Sequence, residues 1–180
     1  MGLQISNRVV LLDRDGVLNV DRTDSVTHIR DLEVESGAVA ATRLLHDAGW
    51  TLLVVTNQAA VGRGQLDLDT LHEIHQELDR RLGNTVRGFF VCPHTPEARC
   101  ACRKPGIALL EQACIAWPFD PGATWFVVDA DRDIQAARHA GVRPALVRTG
   151  KGAATEPDFP DVPAFDDVLA FARWLVVNER

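Results

Sequence analysis

The sequence predicts an α/β fold in which a Rossmann-like parallel sheet carries helices on both faces. Short apolar runs rich in Val and Leu alternate with helical patterns along the chain, as in successive strand–helix–strand units. The runs are continuously apolar, which is typical of strands buried on both faces of a parallel sheet. With 180 residues and 46% hydrophobic content, the chain suits a single domain over residues 1–180 with a sizeable core.

Two strands and two helices are predicted in the first half of the chain. Residues 8–12 form a β-branched apolar run that stops at an aspartate, and residues 51–55 form a second such run. Between them, apolar side chains recur at helical spacing over residues 37–49, and the pattern ends at a glycine. A longer helix follows over about residues 67–82, with an apolar stripe made of Leu68, Leu71, Ile74, Leu78 and Leu82.

Three strands and three helices are predicted in the second half. The strands cover residues 89–91, 124–128 and 144–147. A helix starts at Pro105, because proline suits a first helical turn. A short helix covers residues 133–140, a final one ends near Val177, and the Gly-, Pro- and acid-rich residues 150–163 form a loop.

Charge and hydropathy exclude some partners. The formal net charge of −6 disfavours nucleic acid, whose binding normally requires a basic face. No apolar run approaches the roughly 18 residues of a membrane span, and residues 1–16 lack the regions of an export signal. We therefore expect a cytoplasmic protein with no nucleic-acid and no membrane partner, and we expect a monomer.

Polar side chains follow three of the predicted strands. Asp13, the pair Thr56-Asn57, and Asp129 each come directly after a separate apolar run. Because ligands of such sheets bind beyond the carboxyl ends of the strands, these residues are predicted to meet in one site. No domain-sized insertion follows the first two of these positions, so short loops, including a Cys/His-rich one, form a minimal cap.

The spacing of two aspartates predicts phosphatase chemistry. Asp13 and Asp15 are spaced i, i+2, so their carboxylates project to one side of an extended backbone, and Gly16 permits a sharp turn afterwards. We predict that Asp13 attacks phosphorus of a phosphorylated small-molecule substrate. Asp15 would protonate the leaving oxygen and then activate water. The alternative, an Asp-rich turn without chemistry, is disfavoured by the apolar strand before Asp13.

Two carboxylates that face a phosphate require a cation between them. The predicted magnesium ligands are Asp13, Asp15 through a nearby backbone carbonyl, and Asp129. Asp133 is predicted to support this site, either by orienting a metal-bound water or by capping a helix. Asp131 lies between the last two and is predicted to be solvated.

Four further residues are predicted to contact the substrate. Thr56 and Asn57 can donate hydrogen bonds to phosphoryl oxygens, and Lys104 can place a fixed positive charge on the same group. Arg103 is available for a second substrate anion. The alternatives are a plain strand-ending turn at Thr56-Asn57 and a surface position for one of the two basic residues.

A Cys/His loop predicts a structural zinc site. Cys92, His94, Cys100 and Cys102 lie within eleven residues and match a closed tetrahedral set of zinc ligands. All four ligands come from protein, so the zinc is predicted to be structural and to fold the loop. The alternative is a redox Cys-x-Cys switch.

Three other residues with metal-binding chemistry are given no metal role. Cys114 lies among apolar residues of a helix and is predicted to belong to the core. His72 and His75 are spaced i, i+3, which can bind a metal, but their polar neighbours favour a solvated helix face.

Four segments together resemble phosphatases of the haloacid dehalogenase superfamily: DRDGVLN, TNQ, CPH…CACRKP and VVDADRD. The likeness spans about residues 9–149, and it is narrower than the superfamily because generic members lack the Cys/His loop. Within the superfamily, the chain resembles the branch that contains heptose-bisphosphate and histidinol-phosphate phosphatases. The resemblance implies the same roles as above for Asp13, Asp15, Asp129, Thr56, Asn57, Lys104 and the zinc ligands.

The choice of substrate rests on the resemblance alone. The segments VGRG and VRTGKG, and Asn19 followed by Asp21, look more like the heptose enzymes, which remove the 7-phosphate of D-glycero-D-manno-heptose 1,7-bisphosphate. The resemblance then implies that Arg63 and Arg103 contact the sugar or the remaining phosphate, and that the reaction belongs to carbohydrate metabolism and lipopolysaccharide precursor synthesis. The alternatives are a histidinol-phosphate phosphatase, a nucleic-acid 3′-phosphatase, and a zinc-stabilised module that binds phospho-ligands without turnover.

The chain departs from the family pattern at two places near the predicted site. Ala59-Ala60 stand where Ser-Gly is usual after TNQ. Val128 and Ala130 stand where Gly and Lys often flank the aspartate of the last motif. None of these changes affects the predicted nucleophile.

Overall fold

The structure is a computed structural model that describes residues 8–179. Its strands are Val9–Leu12 (β1), Thr51–Asn57 (β2), Val86–Cys92 (β3), Trp125–Val128 (β4), Arg143–Val147 (β5) and Ala164–Phe165 (β6). Its helices are Ala38–Asp47 (α1), Ala59–Gly62 (α2), Leu68–Leu82 (α3), Ala108–Ala116 (α4), Asp131–His139 (α5), Gly152–Thr155 (α6) and Val168–Asn178 (α7). The predictions of an absent export signal and of a domain over residues 1–180 extend beyond the described residues.

The six strands form one sheet in the order β3-β2-β1-β4-β5-β6, and all neighbours are parallel. Leu12 at the end of β1 pairs with Val54 of β2 on one side and with Val127 of β4 on the other. The strand order reverses at β1, which is where ligands of open parallel sheets bind. Asp13 therefore emerges from the centre of the sheet.

Helices cover both faces of the sheet, as predicted. Val10 and Leu12 of β1 belong to the core that contains side chains of α1, α3 and α7. Val9 and Leu11 belong to the opposite core, which contains side chains of α4 and α5. Full burial of each such side chain contributes about 1.5–3 kcal/mol to the free energy of unfolding. Strands that are apolar on both faces therefore stabilise the helix layers on both sides of the sheet. Across residues 8–179, no helix has the length and hydropathy to cross a bilayer.

Several predicted boundaries were wrong. The predicted loop at residues 150–163 contains α6 and a 3-10 turn at Glu156–Asp158. The two-residue strand β6 and the four-residue helix α2 were missed because neither is long enough to show a period. Helix α4 begins at Ala108 rather than Pro105. Pro105 instead lies in a turn, after a cis peptide bond and before Gly106, whose N–H donates to Arg103 O at 2.7 Å.

Two side chains of α3 contradict their predicted environments. Leu68, predicted as part of the apolar stripe, is 60% exposed because it lies at the first position of the helix. His75, predicted on a solvated face, is only 4% exposed and packs against Phe89 of β3. His72 is exposed, as predicted.

The departures from the family pattern are accommodated by packing. Val128 is fully buried in the core beneath α4 and α5, and Ala60 is buried in the opposite core. Ala130 is 2% exposed and directly precedes α5. Cys114 is half-buried and packs against the α4/α5 core, in partial agreement with its predicted core position.

Candidate active site

A cleft of about 210 Å³ opens at the carboxyl ends of the central strands. The predicted site residues that line it are Asp13, Asp15, Thr56, Asn57, Arg63 and Arg103. Three others, Lys104, Asp129 and Asp133, are buried next to Asp13. The topology thus brings together all the carboxylates and phosphate contacts that the sequence predicts.

Two glycines allow the loops after β1 and β5 to close around Asp129. Gly16 has a φ of 80° and Gly150 a φ of 56°, which favour glycine. A Cβ atom on either residue would collide with Oδ2 of Asp129. The backbone N–H of Lys151 donates to the same oxygen at 2.9 Å. The Asp129 carboxylate is therefore held by close backbone approach rather than by other side chains.

The ammonium of Lys104 lies within a ring of oxygens. Its Nζ is 2.9 Å from Oδ1 of Asp13, 2.9 Å from Oδ1 of Asp133, and donates to Val55 O at 2.9 Å. Burial disfavours this ammonium, but the charges of Asp13 and Asp133 outweigh it and raise the Lys104 pKa. Lys104 therefore stays charged, and its predicted surface alternative is wrong, since the residue is 2% exposed.

The buried carboxylates exceed the positive charge available to them. Burial raises the pKa of Asp13 to about 7, against the opposing charge of Lys104. Burial also raises the pKa of Asp129 to about 7, with the charge of Asp13 adding to the shift. Such raised values mark carboxylates that lack a sufficient counter-charge. The site therefore favours the binding of a cation in addition to the Lys104 ammonium.

Three of these carboxylates are placed to hold a metal ion. One oxygen each from Asp13, Asp129 and Asp133 lies within 4.8 Å of the other two, and all three residues are buried. Oδ2 of Asp133 has no hydrogen-bond partner among residues 8–179. A cluster of carboxylate oxygens suits a hard cation such as Mg²⁺. The side chain of Asp15 is not part of this group, so any metal contact there would be through its backbone carbonyl.

The carboxylate of Asp15 is bound by side chains instead. Oδ1 accepts hydrogen bonds from Arg14 Nη2 at 2.8 Å and Asn19 Nδ2 at 2.9 Å, and Oδ2 accepts one from Gln58 Nε2 at 2.8 Å. Burial opposes ionisation, but the charge and hydrogen bonds of Arg14, followed by those of Asn19 and Gln58, lower the Asp15 pKa. Asp15 is therefore ionised when the cleft contains no substrate.

Asn57 makes structural hydrogen bonds that the sequence pattern does not reveal. Its Oδ1 accepts from the backbone N–H of Lys104 at 3.1 Å, and its Nδ2 donates to Lys104 O at 3.3 Å. These two bonds join the end of β2 to the segment that follows the Cys/His loop. Thr56 Oγ1 accepts from Gln58 Nε2 at 2.9 Å, and both side chains line the cleft.

The four predicted zinc ligands form one cluster. Neighbouring ligand atoms lie 3.2–3.6 Å apart, and all four fall within 4.8 Å of one another: Cys92, His94, Cys100 and Cys102. A tetrahedral zinc ion with bonds of about 2.0–2.3 Å separates such atoms by about 3.5–3.8 Å. The cysteines are free thiols rather than a disulfide. The cluster is thus compatible with zinc.

The lining of the cleft is more basic than the chain as a whole. It includes five basic residues, namely Arg22, Arg63, Arg103, Arg132 and Lys151, against three acidic ones. Arg103 is anchored by a bond from Nη1 to His94 O at 3.1 Å, and Arg63 by a bond from Nε to Gln65 Oε1 at 3.0 Å. The cleft therefore suits an anion larger than one phosphate, despite the net charge of −6.

Some residues of the site were not identified from the sequence. Arg14 and Gln58 bind Asp15, and Lys151 links Asp129 to the cleft mouth through an ion pair with Asp21 at 2.6 Å. Gln58 and Lys151 lie in the TNQ and VRTGKG segments, so their motifs signalled them. Arg132 likewise lies in the VVDADRD segment, whereas Arg22 lies in none of the quoted segments and carries no comparable signal.

The chain is similar to proteins of known name along nearly its whole length. Residues 101–170 match the HAD-hydrolase-like family. A D-glycero-beta-D-manno-heptose-1,7-bisphosphate 7-phosphatase from Pseudomonas aeruginosa is 37% identical, over 96% of this chain and 99% of that protein. The protein of the same name from Neisseria meningitidis serogroup A is 35% identical, over 94% of this chain and 95% of that protein.

The chain is also similar to solved structures of proteins with the same named activity. A crystal structure of D,D-heptose 1,7-bisphosphate phosphatase from B. bronchiseptica, complexed with magnesium and phosphate, has a TM-score of 0.90 and 34% identity. It covers 94% of this chain and 98% of its own. The corresponding structure from Burkholderia thailandensis has a TM-score of 0.73 and 29% identity, with 94% and 98% covered.

Proposed function

The chain belongs to the haloacid dehalogenase-like phosphatase family, and we propose that it is a magnesium-dependent phosphatase that removes the 7-phosphate of D-glycero-D-manno-heptose 1,7-bisphosphate. The observation that carries the proposal is the cleft itself, where Asp13 and Asp15 face a basic lining. Relatives that carry this activity in their names are 35% and 37% identical to the chain over the aligned residues.

In the first half of the reaction, Asp13 is the nucleophile. A carboxylate oxygen of Asp13 bonds to phosphorus as the bond from phosphorus to the sugar oxygen breaks, and the electron pair of that bond goes to the sugar oxygen. Asp15 gives this oxygen a proton, so the sugar leaves as an alcohol. Lys104, 2.9 Å from Asp13, holds the nucleophile in place through its ammonium.

Asp15 must gain a proton before it can act as an acid. Its pKa is lowered when the cleft is empty, because Arg14 and two amides stabilise the carboxylate. A phosphate dianion beside it disfavours a second negative charge, so the proton is taken up as substrate binds.

In the second half of the reaction, Asp15 acts as a base. It removes a proton from a water molecule, whose oxygen attacks phosphorus of the aspartyl-phosphate. The bond between phosphorus and the Asp13 oxygen breaks and its electron pair returns to Asp13 as a carboxylate. Phosphate leaves, and Asp15 releases its proton to solvent as the cleft empties, so both groups are again ionised as at the start. Thr56 lines the cleft beside both carboxylates, and we propose that its hydroxyl donates to the phosphoryl group.

We propose Asp13, Asp129 and the backbone carbonyl of Asp15 as magnesium ligands, with Asp133 as a supporting carboxylate. Magnesium, when bound, neutralises phosphate charge and polarises the phosphoryl oxygens. The crystal structure of the B. bronchiseptica relative, complexed with magnesium and phosphate, supports magnesium as the ion. Zinc at the Cys92 cluster would act structurally, by fixing the loop that carries Arg103 and Lys104.

The remaining features are proposed on narrower grounds. Arg63 and Arg103 both line the cleft and would contact the sugar or its second phosphate. A cytoplasmic location suits the free thiols, because that compartment keeps cysteines reduced. A monomeric state stays a prediction.

The proposal is tested by phosphate release with magnesium present. Heptose 1,7-bisphosphate and histidinol phosphate are compared at equal concentrations, with Asp13→Asn as the inactive control. We expect much faster release from the bisphosphate and none above background from the variant. Faster release from histidinol phosphate would overturn the assignment of the heptose bisphosphate as the substrate. Binding of the bisphosphate without release would favour a module that binds phospho-ligands without turnover.

A further inference from the structure

Arg14 lies between the proposed nucleophile and the proposed acid/base in the sequence, and its side chain is buried. It is 0% exposed, and its Nε and Nη2 donate to Oδ1 of Asp15 at 3.2 and 2.8 Å. The remaining nitrogen, Nη1, lies 3.2 Å from Nε2 of His75. Because a guanidinium can only donate, Nε2 must accept, and the His75 ring is neutral with its proton on Nδ1. His75 is thus the acceptor for the guanidinium nitrogen that does not bind Asp15.

The His75 ring is itself held in one orientation. It projects from α3 and stacks on Phe89 of β3, with ring centroids 4.5 Å apart and planes inclined by 10°. Burial, with the charge of Arg14, lowers the His75 pKa to about 3, which agrees with a neutral acceptor. A ring fixed between a helix and a strand cannot turn away from Arg14 without losing this stacking.

We infer that His75 is a positioning residue that acts on Asp15 through Arg14. Arg14 is the one cation that binds the Asp15 carboxylate among the side chains of residues 8–179, and the other two donors are the amides of Asn19 and Gln58. By taking the Nη1 hydrogen bond, His75 directs the other two nitrogens onto Oδ1 of Asp15. The inference rests on the proposed function, because it concerns how the acid/base of that reaction is aligned.

Two substitutions separate this role from packing. His75→Phe keeps an aromatic ring to stack on Phe89 but removes the acceptor, whereas His75→Gln can place its amide oxygen near the position of Nε2. In phosphate release from the heptose bisphosphate at saturating magnesium, we expect His75→Phe to lower kcat by about tenfold with KM changed less than about threefold. We expect His75→Gln to retain kcat within about threefold of the unsubstituted protein. Equal losses in both variants, or a change in KM alone, would overturn the inference.

A structural measurement tests the positioning role of His75 without depending on turnover. Crystal structures of the unsubstituted protein and of His75→Phe are compared at Arg14, and we expect the contact from Nη2 to Asp15 Oδ1 to be lost only in the variant. An unchanged contact would overturn the inference. If the unsubstituted protein releases no phosphate from any phosphomonoester, the proposed function fails, and this comparison still decides the role of His75.

A second variant guards against a His75→Phe protein that does not fold. His75 lines a groove of about 320 Å³ between α3 and β3, so His75→Ala leaves a space that imidazole can enter from solvent. We expect added imidazole to raise kcat of His75→Ala by several-fold and to leave kcat of the unsubstituted protein unchanged. A failure of imidazole to raise kcat, in a folded variant with lowered kcat, would count against the role.

Discussion

The ammonium of Lys104 lies 2.9 Å from Oδ1 of Asp13, and both side chains are almost fully buried. The lysine comes from the segment after the Cys/His loop, and the aspartate comes from the end of the central strand. Because the pair joins these two parts of the chain, the position of the loop and the position of Asp13 depend on each other. Loss of either partner leaves a buried charge without its counter-charge.

Replacement of Lys104 by Met is expected to damage both stability and activity. Loss of one member of a buried ionic group lowers the free energy of unfolding by about 3 kcal/mol, and loss of charge at the nucleophile lowers kcat by about a hundredfold or more. Urea unfolding and phosphate release measure the two effects. The control is Lys151→Met, whose ion pair is half-exposed and is expected to change stability by less than about 1 kcal/mol. Equal stability of the two variants would contradict the role of the buried pair.

Asp133 and Asp15 are expected to differ in their effect on magnesium affinity. Asp133→Asn removes a carboxylate from the cluster and is expected to weaken magnesium binding by about tenfold or more in titration calorimetry. Asp15→Asn is expected to abolish turnover while it changes this affinity less than about threefold, because its side chain is bound by Arg14, Asn19 and Gln58 instead. The reverse order of affinities would place the metal at the Asp15 side chain.

Cys102 and Cys114 form a matched pair of substitutions for the zinc proposal. Cys102→Ser removes a ligand from the cluster and is expected to lose zinc, measured as metal content per chain, and to lower the melting temperature. Cys114→Ser lies outside the cluster and is expected to retain zinc. Full zinc retention by Cys102→Ser, or zinc absent from the unsubstituted protein purified without chelator, would contradict a structural zinc site.

His75 is expected to make the fold sensitive to acid. Its folded pKa of about 3 lies below the unfolded value of 6.5, so below about pH 6.5 the unfolded state binds the extra proton and stability falls as pH decreases. Between pH 7 and pH 5 this loss amounts to about 2 kcal/mol. In urea unfolding at the two pH values, His75→Phe is expected to lose less stability than the unsubstituted protein, and His72→Phe to lose as much. Parallel pH dependence in all three would show that His75 is protonated within the fold.

The central part of the fold and site was predictable because strong local patterns coincide there. Continuous apolar runs identify buried parallel strands, and the polar residues after them must meet at one edge, which places Asp13 beside Asp129 without any knowledge of helix packing. The Cys/His cluster was predictable because its four side chains lie within one short loop at a spacing typical of zinc sites. The B. bronchiseptica structure, at a TM-score of 0.90, agrees with the predicted fold class.

The errors arose where tertiary contacts override local pattern. His75 completes the i, i+3, i+4, i+7 apolar spacing with Leu71, Ile74 and Leu78, but its polar identity and polar neighbours concealed the burial. Arg14 precedes Asp15 in the chain, and nothing in its spacing reveals that the side chain turns inward to bind both Asp15 and His75. The start of α4 was misplaced because proline is equally suited to a turn, here the one that the Gly106 N–H closes onto Arg103 O.

The most direct measurement is the mass of the protein after reaction with a phosphomonoester that has a good leaving group. Asp15→Asn is mixed with p-nitrophenyl phosphate and magnesium, quenched in acid, and analysed by intact and peptide mass spectrometry. Because the base for the second step is missing, the account predicts that one phosphoryl group accumulates on Asp13. A phosphoryl group on another residue would contradict the central claim. So would an unmodified Asp15→Asn protein when the unsubstituted protein turns over the same substrate.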